Sequence, residues 1–235
     1  MTQTVFITGA DKGLGFALTE RFLTEGDRVF AGQYETDANL APLSSAHPNR
    51  LTVVPLDVTD LGSVSEAAKI VAEHTDALDT LINNAGVHLE PEDARLEALD
   101  LDDGHLQASM DVNAFGPLRI NQKFLPLLRK GERKLIVHIS SEAGSIADCT
   151  RRSWFAYCMS KTALNMQCKI LQNYLDPEGF KVLALHPGWM QTDMGSPDAD
   201  FPPEVPAQAI YELTARDWSP SGPIYMNYDG SLRPW

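Results

Sequence analysis

Strand-like and helix-like stretches alternate along the 235 residues. That alternation predicts an α/β domain in three layers, a doubly wound parallel sheet of about seven strands with helices on both faces. Short, continuous apolar runs recur at 5–7, 29–31, 51–56, 78–82, 135–139, 182–185 and 224–226. Strands buried on both faces read this way, whereas half-exposed strands alternate apolar with polar residues. Between the runs lie segments of helical period, such as 14–24, where Phe16, Leu18, Phe22 and Leu23 are apolar, and 64–72. The length suits one domain spanning 1–235 and is short for two. The single shift in composition, 196–206, holds Pro197, Pro202, Pro203 and Pro206. It reads as a surface loop leading into a helix over 208–218, so 193–218 is expected to form a loop and helix bordering a substrate site.

The bulk chemistry excludes several classes. Hydrophobic residues make up 43%, charged residues 22%, and the net charge is −13. An acidic surface repels nucleic acid and anionic lipid, which bind clustered Lys and Arg, so neither partner is expected. No stretch is apolar enough to cross a bilayer. Cys149, Cys158 and Cys168 have neither a paired nor a metal-ligand spacing. That suits free thiols in the cytoplasm and gives no metal site.

The first strand runs into Thr8-Gly9-Ala10-Asp11-Lys12-Gly13-Leu14-Gly15, and a helix follows. Glycines let a backbone turn sharply and approach a pyrophosphate, and the helix start offers free N–H groups and a positive dipole end. A glycine-rich turn can also be a plain tight connection. Its position at the first strand-to-helix turn of an alternating series favours nucleotide binding.

The spacing G-x-x-x-G-x-G resembles the cofactor turn of the short-chain dehydrogenase/reductase superfamily, single-domain type, and further motifs follow in that family's order. Leu56-Asp57-Val58 resembles its adenine-contacting segment, and Asn83-Asn84-Ala85-Gly86 its NNAG motif. Asn113 sits where it keeps an active-site Asn. Ser140-Ser141 ends the fifth strand, Tyr157-Cys158-Met159-Ser160-Lys161 is similar to its Y-x-x-[SA]-K pentapeptide, and Pro187-Gly188 to Thr192 to its P-G-x-x-x-T segment. Residues 222–235 and 189–195 resemble the C-factor-like and sniffer-like group of carbonyl reductases. The resemblance implies a Rossmann fold and cofactor contacts from Thr8, Gly9, Asp11, Lys12, Gly13, Leu14, Gln33, Tyr34, Asp57, Val58, Asn84, Ala85, Gly86, Tyr157, Lys161, Pro187, Gly188 and Thr192. It also implies pairing into a homodimer or homotetramer through the helices carrying Asn113 and Tyr157. On the latter, Leu164, Met166, Ile170 and Leu171 suit either an interface or the core.

Hydride transfer to a carbonyl needs a proton donor for the developing alkoxide. Tyr157 can supply it. Lys161, four residues on, shares its helical face, and a cation there is expected to lower the phenol pKa. Ser141, at the carboxyl edge of the sheet, can orient the substrate oxygen; Ser140 and Ser145 are its alternatives, because sixteen residues separate Ser141 from Tyr157. The family's Lys also holds the nicotinamide ribose, and its Asn holds a water in a proton relay. Taken singly, each of these side chains has a duller reading in packing, capping or solvation. Trp154, Trp189 and Met190, with Ser141, are expected to line an apolar substrate pocket.

At the end of the second strand, Gln33 stands where an NAD-selective acid would, followed by Tyr34 and Glu35, and Lys12 can meet a 2′-phosphate. This favours NADP(H), with NAD(H) the alternative. The function read is reduction of a small-molecule ketone or aldehyde to an alcohol. A dinucleotide-sensing regulator without catalysis is one alternative. A nucleotide-sugar epimerase or dehydratase is another, opposed by the glycine spacing and the short tail.

Overall fold

The computed structural model describes residues 2–34, 40–91, 95–102 and 104–235. Seven strands form one parallel sheet: β1 (Thr4–Ile7), β2 (Arg28–Gln33), β3 (Leu51–Pro55), β4 (Thr80–Asn83), β5 (Leu135–Ile139), β6 (Lys181–His186) and β7 (Tyr225–Asn227). Their order is β3-β2-β1-β4-β5-β6-β7. Every apolar run became a strand, and the central ones are buried on both faces: Val5, Phe6 and Ile7 have no exposed surface, and all five residues of β5 are buried, whereas the edge strand β3 is partly exposed.

Helices cover the two faces. Phe6, Phe30, Leu81 and Ile136 point into one core, under α3 (Leu61–His74), α5 (Gly116–Leu128) and α6 (Phe155–Leu175). Here Phe6 and Phe124 bring their rings to 4.2 Å. Val5, Ile7, Val29 and Val137 point the other way, under α1 (Gly13–Thr24) and α7 (Glu204–Ala215). The short helices α2 (Leu40–Ala46) and α4 (His105–Met110) complete the set.

Two local differences from the sequence reading have physical causes. The helix placed at 208–218 runs instead from Glu204 to Ala215. Pro206 lies in its first turn, where a missing N–H costs nothing, so the proline does not delay the helix as the loop reading assumed. This helix packs on α1, with Tyr211 edge-on to Phe22 at 5.0 Å. Asn113 lies in a π-helical turn, Asp111–Phe115, between α4 and α5. Such turns concentrate at functional sites because they displace side chains from regular helical positions. Glu35 lies outside the described residues.

The strand order reverses direction between β1 and β4. The crevice beyond the carboxyl ends of strands at such a switch point is the ligand site of open α/β sheets. The segments carrying the motifs leave the sheet at that edge.

Candidate active site

The glycine turn is locked to the segment after β4. Thr8 Oγ1 accepts from the amides of Asn84 and Ala85, both at 3.0 Å. Asn84 Nδ2 returns bonds to the carbonyls of Thr8 (3.0 Å) and Gly9 (2.9 Å). Gly9 and Gly13 have φ of 61° and 53°, in the left-handed region that glycine tolerates. A Cβ on Gly15 would stand 2.0 Å from the Gly9 carbonyl oxygen. The turn therefore closes only around glycines. Lys12 is the N-cap of α1 and makes no side-chain cap. The start of this twelve-residue helix is therefore not capped by its own N-cap side chain, which fits a pyrophosphate there. Lys12 Nζ lies 3.9 Å from Asp193 Oδ2, and Thr192 packs beside Gly13. Asp11 and Leu14 are buried in the same turn.

Neighbouring strands bring the remaining cofactor candidates to this edge. Ala10 donates its N–H to the Gly32 carbonyl (2.9 Å), which sets Gln33 and the exposed Tyr34 beside the turn. Asp57 follows β3; its Oδ1 accepts from the N–H and hydroxyl of Thr59 (2.8 and 2.7 Å). Val58 packs at Gly116. After β6 come Pro187 and Gly188 (φ 84°); the Phe201 ring fills the space where a Gly188 side chain would stand.

Beyond β4 and β5 the four candidate catalytic residues converge. Gly86 is the pivot: a Cβ there would lie 3.2 Å from Asn113 Oδ1 and 3.5 Å from Lys161 Nζ. Lys161 is 4% exposed, and its Nζ donates to the Ile139 carbonyl at 3.0 Å. Burial pushes it down to about 8. Ser141 is the buried cap of a short 3-10 turn; its Oγ accepts from Ala143 N (3.1 Å) and lies close enough to the Tyr157 hydroxyl to favour the phenolate. Ser140 and Ser145 turn elsewhere, to Asn165 Oδ1 (2.6 Å) and the Pro234 carbonyl (2.9 Å). Of the three serines, Ser141 faces the tyrosine.

Two features depart from expectation. Lys161 Nζ stands 5.8 Å from the Tyr157 ring centroid, yet the protein's own groups do not lower the phenol. Burial raises it to about 12, against the opposing pull of the Ser141 hydrogen bond. Asn113 is fully buried, and its amide is engaged within the protein. Oδ1 accepts from Val87 N (2.8 Å), and Nδ2 donates to Val87 O (2.8 Å) and Ser160 Oγ (3.0 Å). Its side chain is a brace between loop and helix, with both amide protons committed.

The pocket wall is mixed. Trp154 precedes α6 at φ 66°, between the Arg151 guanidinium (4.2 Å to the ring centroid) and the His88 ring (4.5 Å). Trp189 is 51% exposed, and Met190 is half-buried in a bridge to Phe201. Sequence reasoning missed two neighbours. Glu90 accepts from Tyr157 N at 2.8 Å, and the Tyr225 hydroxyl donates to the Ser141 carbonyl at 2.6 Å. Neither carries a local signal; each is made by a contact across more than sixty residues.

Known proteins share this arrangement. The short chain dehydrogenase family profile matches residues 3–201. The C-signal protein of Myxococcus xanthus is 40% identical over 163 residues, covering 68% of this chain and 95% of its own. The NADPH-bound carbonyl reductase from chicken fatty liver superposes with a TM-score of 0.90 at 30% identity, over 100% of this chain and 99% of its own. The carbonyl reductase Sniffer of D. melanogaster gives 0.92 at 26% identity over the whole of both chains. With its motifs in that order on that sheet, the chain belongs to the short chain dehydrogenase family.

Proposed function

We propose that this protein is an NADP(H)-linked carbonyl reductase that converts a ketone or aldehyde to an alcohol, with Tyr157 as the proton donor. The observation that carries the reading is the convergence of Ser141, Tyr157 and Lys161 at the sheet edge where the glycine turn opens. The bound nicotinamide supplies the hydride, and the protein does the rest.

The amides of Gly13 and Leu14 at the start of α1 meet the pyrophosphate, with Thr8, Gly9 and Asp11 shaping the turn. Lys12, Gln33 and Tyr34 border the adenosine ribose, and Asp57 and Val58 the adenine. Asn84, Ala85, Gly86, Pro187, Gly188 and Thr192 enclose the nicotinamide half. Lys161 holds the ribose beside Tyr157, and Asn113 braces the helix that carries both. Ser141, its hydroxyl oxygen accepting from Ala143, directs its proton to the substrate oxygen. A phenol held up to about 12 stays protonated at neutral pH and so has a proton to give to the developing alkoxide.

The chain forms a single domain in this reading, with the loop and helix over 193–218 and Trp154, Trp189 and Met190 as pocket walls. It pairs into a homodimer through α5 and α6. Its three free cysteines suit the cytoplasm. The test is Tyr157→Phe, assayed at the nicotinamide absorbance on a panel of ketones and aldehydes. Loss of a general acid lowers kcat by about 100-fold or more, while cofactor binding measured by fluorescence holds. A phenylalanine variant as active as the wild type sinks the assignment.

A further inference from the structure

Tyr157 sits at the third position of α6, whose N-cap is Trp154. Helix starts are normally closed by a Ser, Thr, Asn or Asp oxygen accepting from the second or third amide. Trp154 has no such oxygen, and the first turn of α6 contains no acid. Its backbone also stands in the left-handed region (φ 66°, ψ 46°), costly for a bulky aromatic. The missing acceptor comes from Glu90, 67 residues earlier, whose Oε2 takes the Tyr157 N–H at 2.8 Å. Glu90 is 7% exposed, and its Oε1 is sealed from solvent without a hydrogen-bond partner among the described residues. A carboxylate buried this way is expensive unless something answers its charge, and the positive end of α6 does so.

The rest of the same loop holds the rest of the same residue. The His88 ring lies 4.6 Å from the Tyr157 ring, tilted by 42°, and 4.5 Å from Trp154 on its other contact. Val87 clasps the Asn113 amide through both backbone groups. Asn113 Nδ2 then donates to Ser160 Oγ, and that hydroxyl donates to the Tyr157 carbonyl at 2.8 Å. Residues 87–90 thus hold Tyr157 at its amide, its ring and, through two side chains, its carbonyl.

We propose that Glu90 and His88 are positioning residues for Tyr157: Glu90 fixes where its helix begins, and His88 fixes the plane of its phenol. The inference rests on the reductase reading and deepens it, because a proton donor works only within hydrogen-bond reach of the substrate oxygen.

The experiment compares Glu90→Ala, Glu90→Gln and His88→Ala in the full chain, with NADPH and an aromatic aldehyde. Glu90→Ala should lower kcat about tenfold, since small misplacements of a reacting group are costly, with the KM for NADPH unchanged. Glu90→Gln, which retains an acceptor oxygen, should stay within about threefold of wild type. Amide exchange over residues 155–158 should quicken in Glu90→Ala alone. His88→Ala, which leaves the cap intact, should lower kcat with exchange unaltered. The proposal is overturned if kcat in Glu90→Ala stays within twofold of wild type, if Glu90→Gln is as slow as Glu90→Ala, or if His88→Ala leaves kcat unchanged. Should Glu90→Ala fail to fold, Glu90→Gln and His88→Ala decide between these outcomes. A wild type inactive on every carbonyl sinks the reductase reading; amide exchange then decides the Glu90 cap alone, and unchanged exchange in Glu90→Ala overturns it.

Discussion

Lys12 shows how one side chain can set cofactor choice. Its ammonium lies 3.9 Å from Asp193, with the two side chains 50% and 86% exposed. An exposed pair like this is worth at most about 1 kcal/mol, whereas a charge-assisted bond to a phosphate reaches roughly 1.5–3 kcal/mol. In the proposed reductase, a 2′-phosphate would therefore outcompete Asp193 for Lys12. Replacing Lys12 with Ala should raise the KM for NADPH about tenfold and leave that for NADH unchanged. An unaltered ratio of kcat/KM between the two cofactors would count against Lys12 as the 2′-phosphate contact. This residue was legible because it sits inside a motif of fixed spacing. Glu90 was not: a carboxylate in an acidic loop has no periodicity or neighbour to mark it, and only folding brings it to Tyr157 N.

Helices α5 and α6 carry the next scale. The π-helical turn that leads into α5 is tied to α6, with Gln167 Nε2 donating to the Ala114 carbonyl at 2.9 Å. Leu118 on α5 and Met159, Met166, Ile170 and Tyr174 on α6 remain exposed, with Phe115 beside them. The sequence left Leu164, Met166, Ile170 and Leu171 ambiguous, since an apolar stripe at helical spacing suits either core or interface. The structure separates them: Leu164 is buried, Leu171 packs on the core, and Met166 and Ile170 face outward. Exposed apolar side chains on these two helices are what the proposed pairing would cover. Light scattering should therefore report a dimer at micromolar concentration, and Met166→Glu with Ile170→Glu should yield monomers; a monomeric wild type rejects the interface. Strands were the most legible elements, since continuous burial leaves no other reading for 135–139. The π-helical turn and α4 were not, because tertiary packing rather than local pattern shapes them.

For the whole molecule, the buried polar layer beneath the site ties stability to pH. His138 in β5 is fully buried, with Asn121 Nδ2 3.4 Å from its Nε2. Burial, reinforced by the Lys161 charge, holds it down at about 3 from an ordinary 6.5. The unfolded chain takes up a proton below pH 6.5 while the folded chain refuses it, so this contribution is complete above pH 6.5 and is lost as pH falls toward 3. The slope is about 1.4 kcal/mol per pH unit. Denaturant midpoints should fall between pH 6.5 and 4.5, and less steeply in His138→Gln; equal slopes would exclude His138 as the cause. The parallel sheet was readable in advance because its strands are continuous apolar runs in the sequence. The bond from Tyr225 to Ser141 was not, since it spans 84 residues and joins the edge strand to the loop after β5. That bond has a consequence for local opening. Ser141 leans on β7, a three-residue strand at the sheet's rim, and Trp235 stacks on the same tyrosine at 5.1 Å. Rims fray before cores do. A site tied to that rim is therefore expected to open at a lower threshold than the body of the sheet.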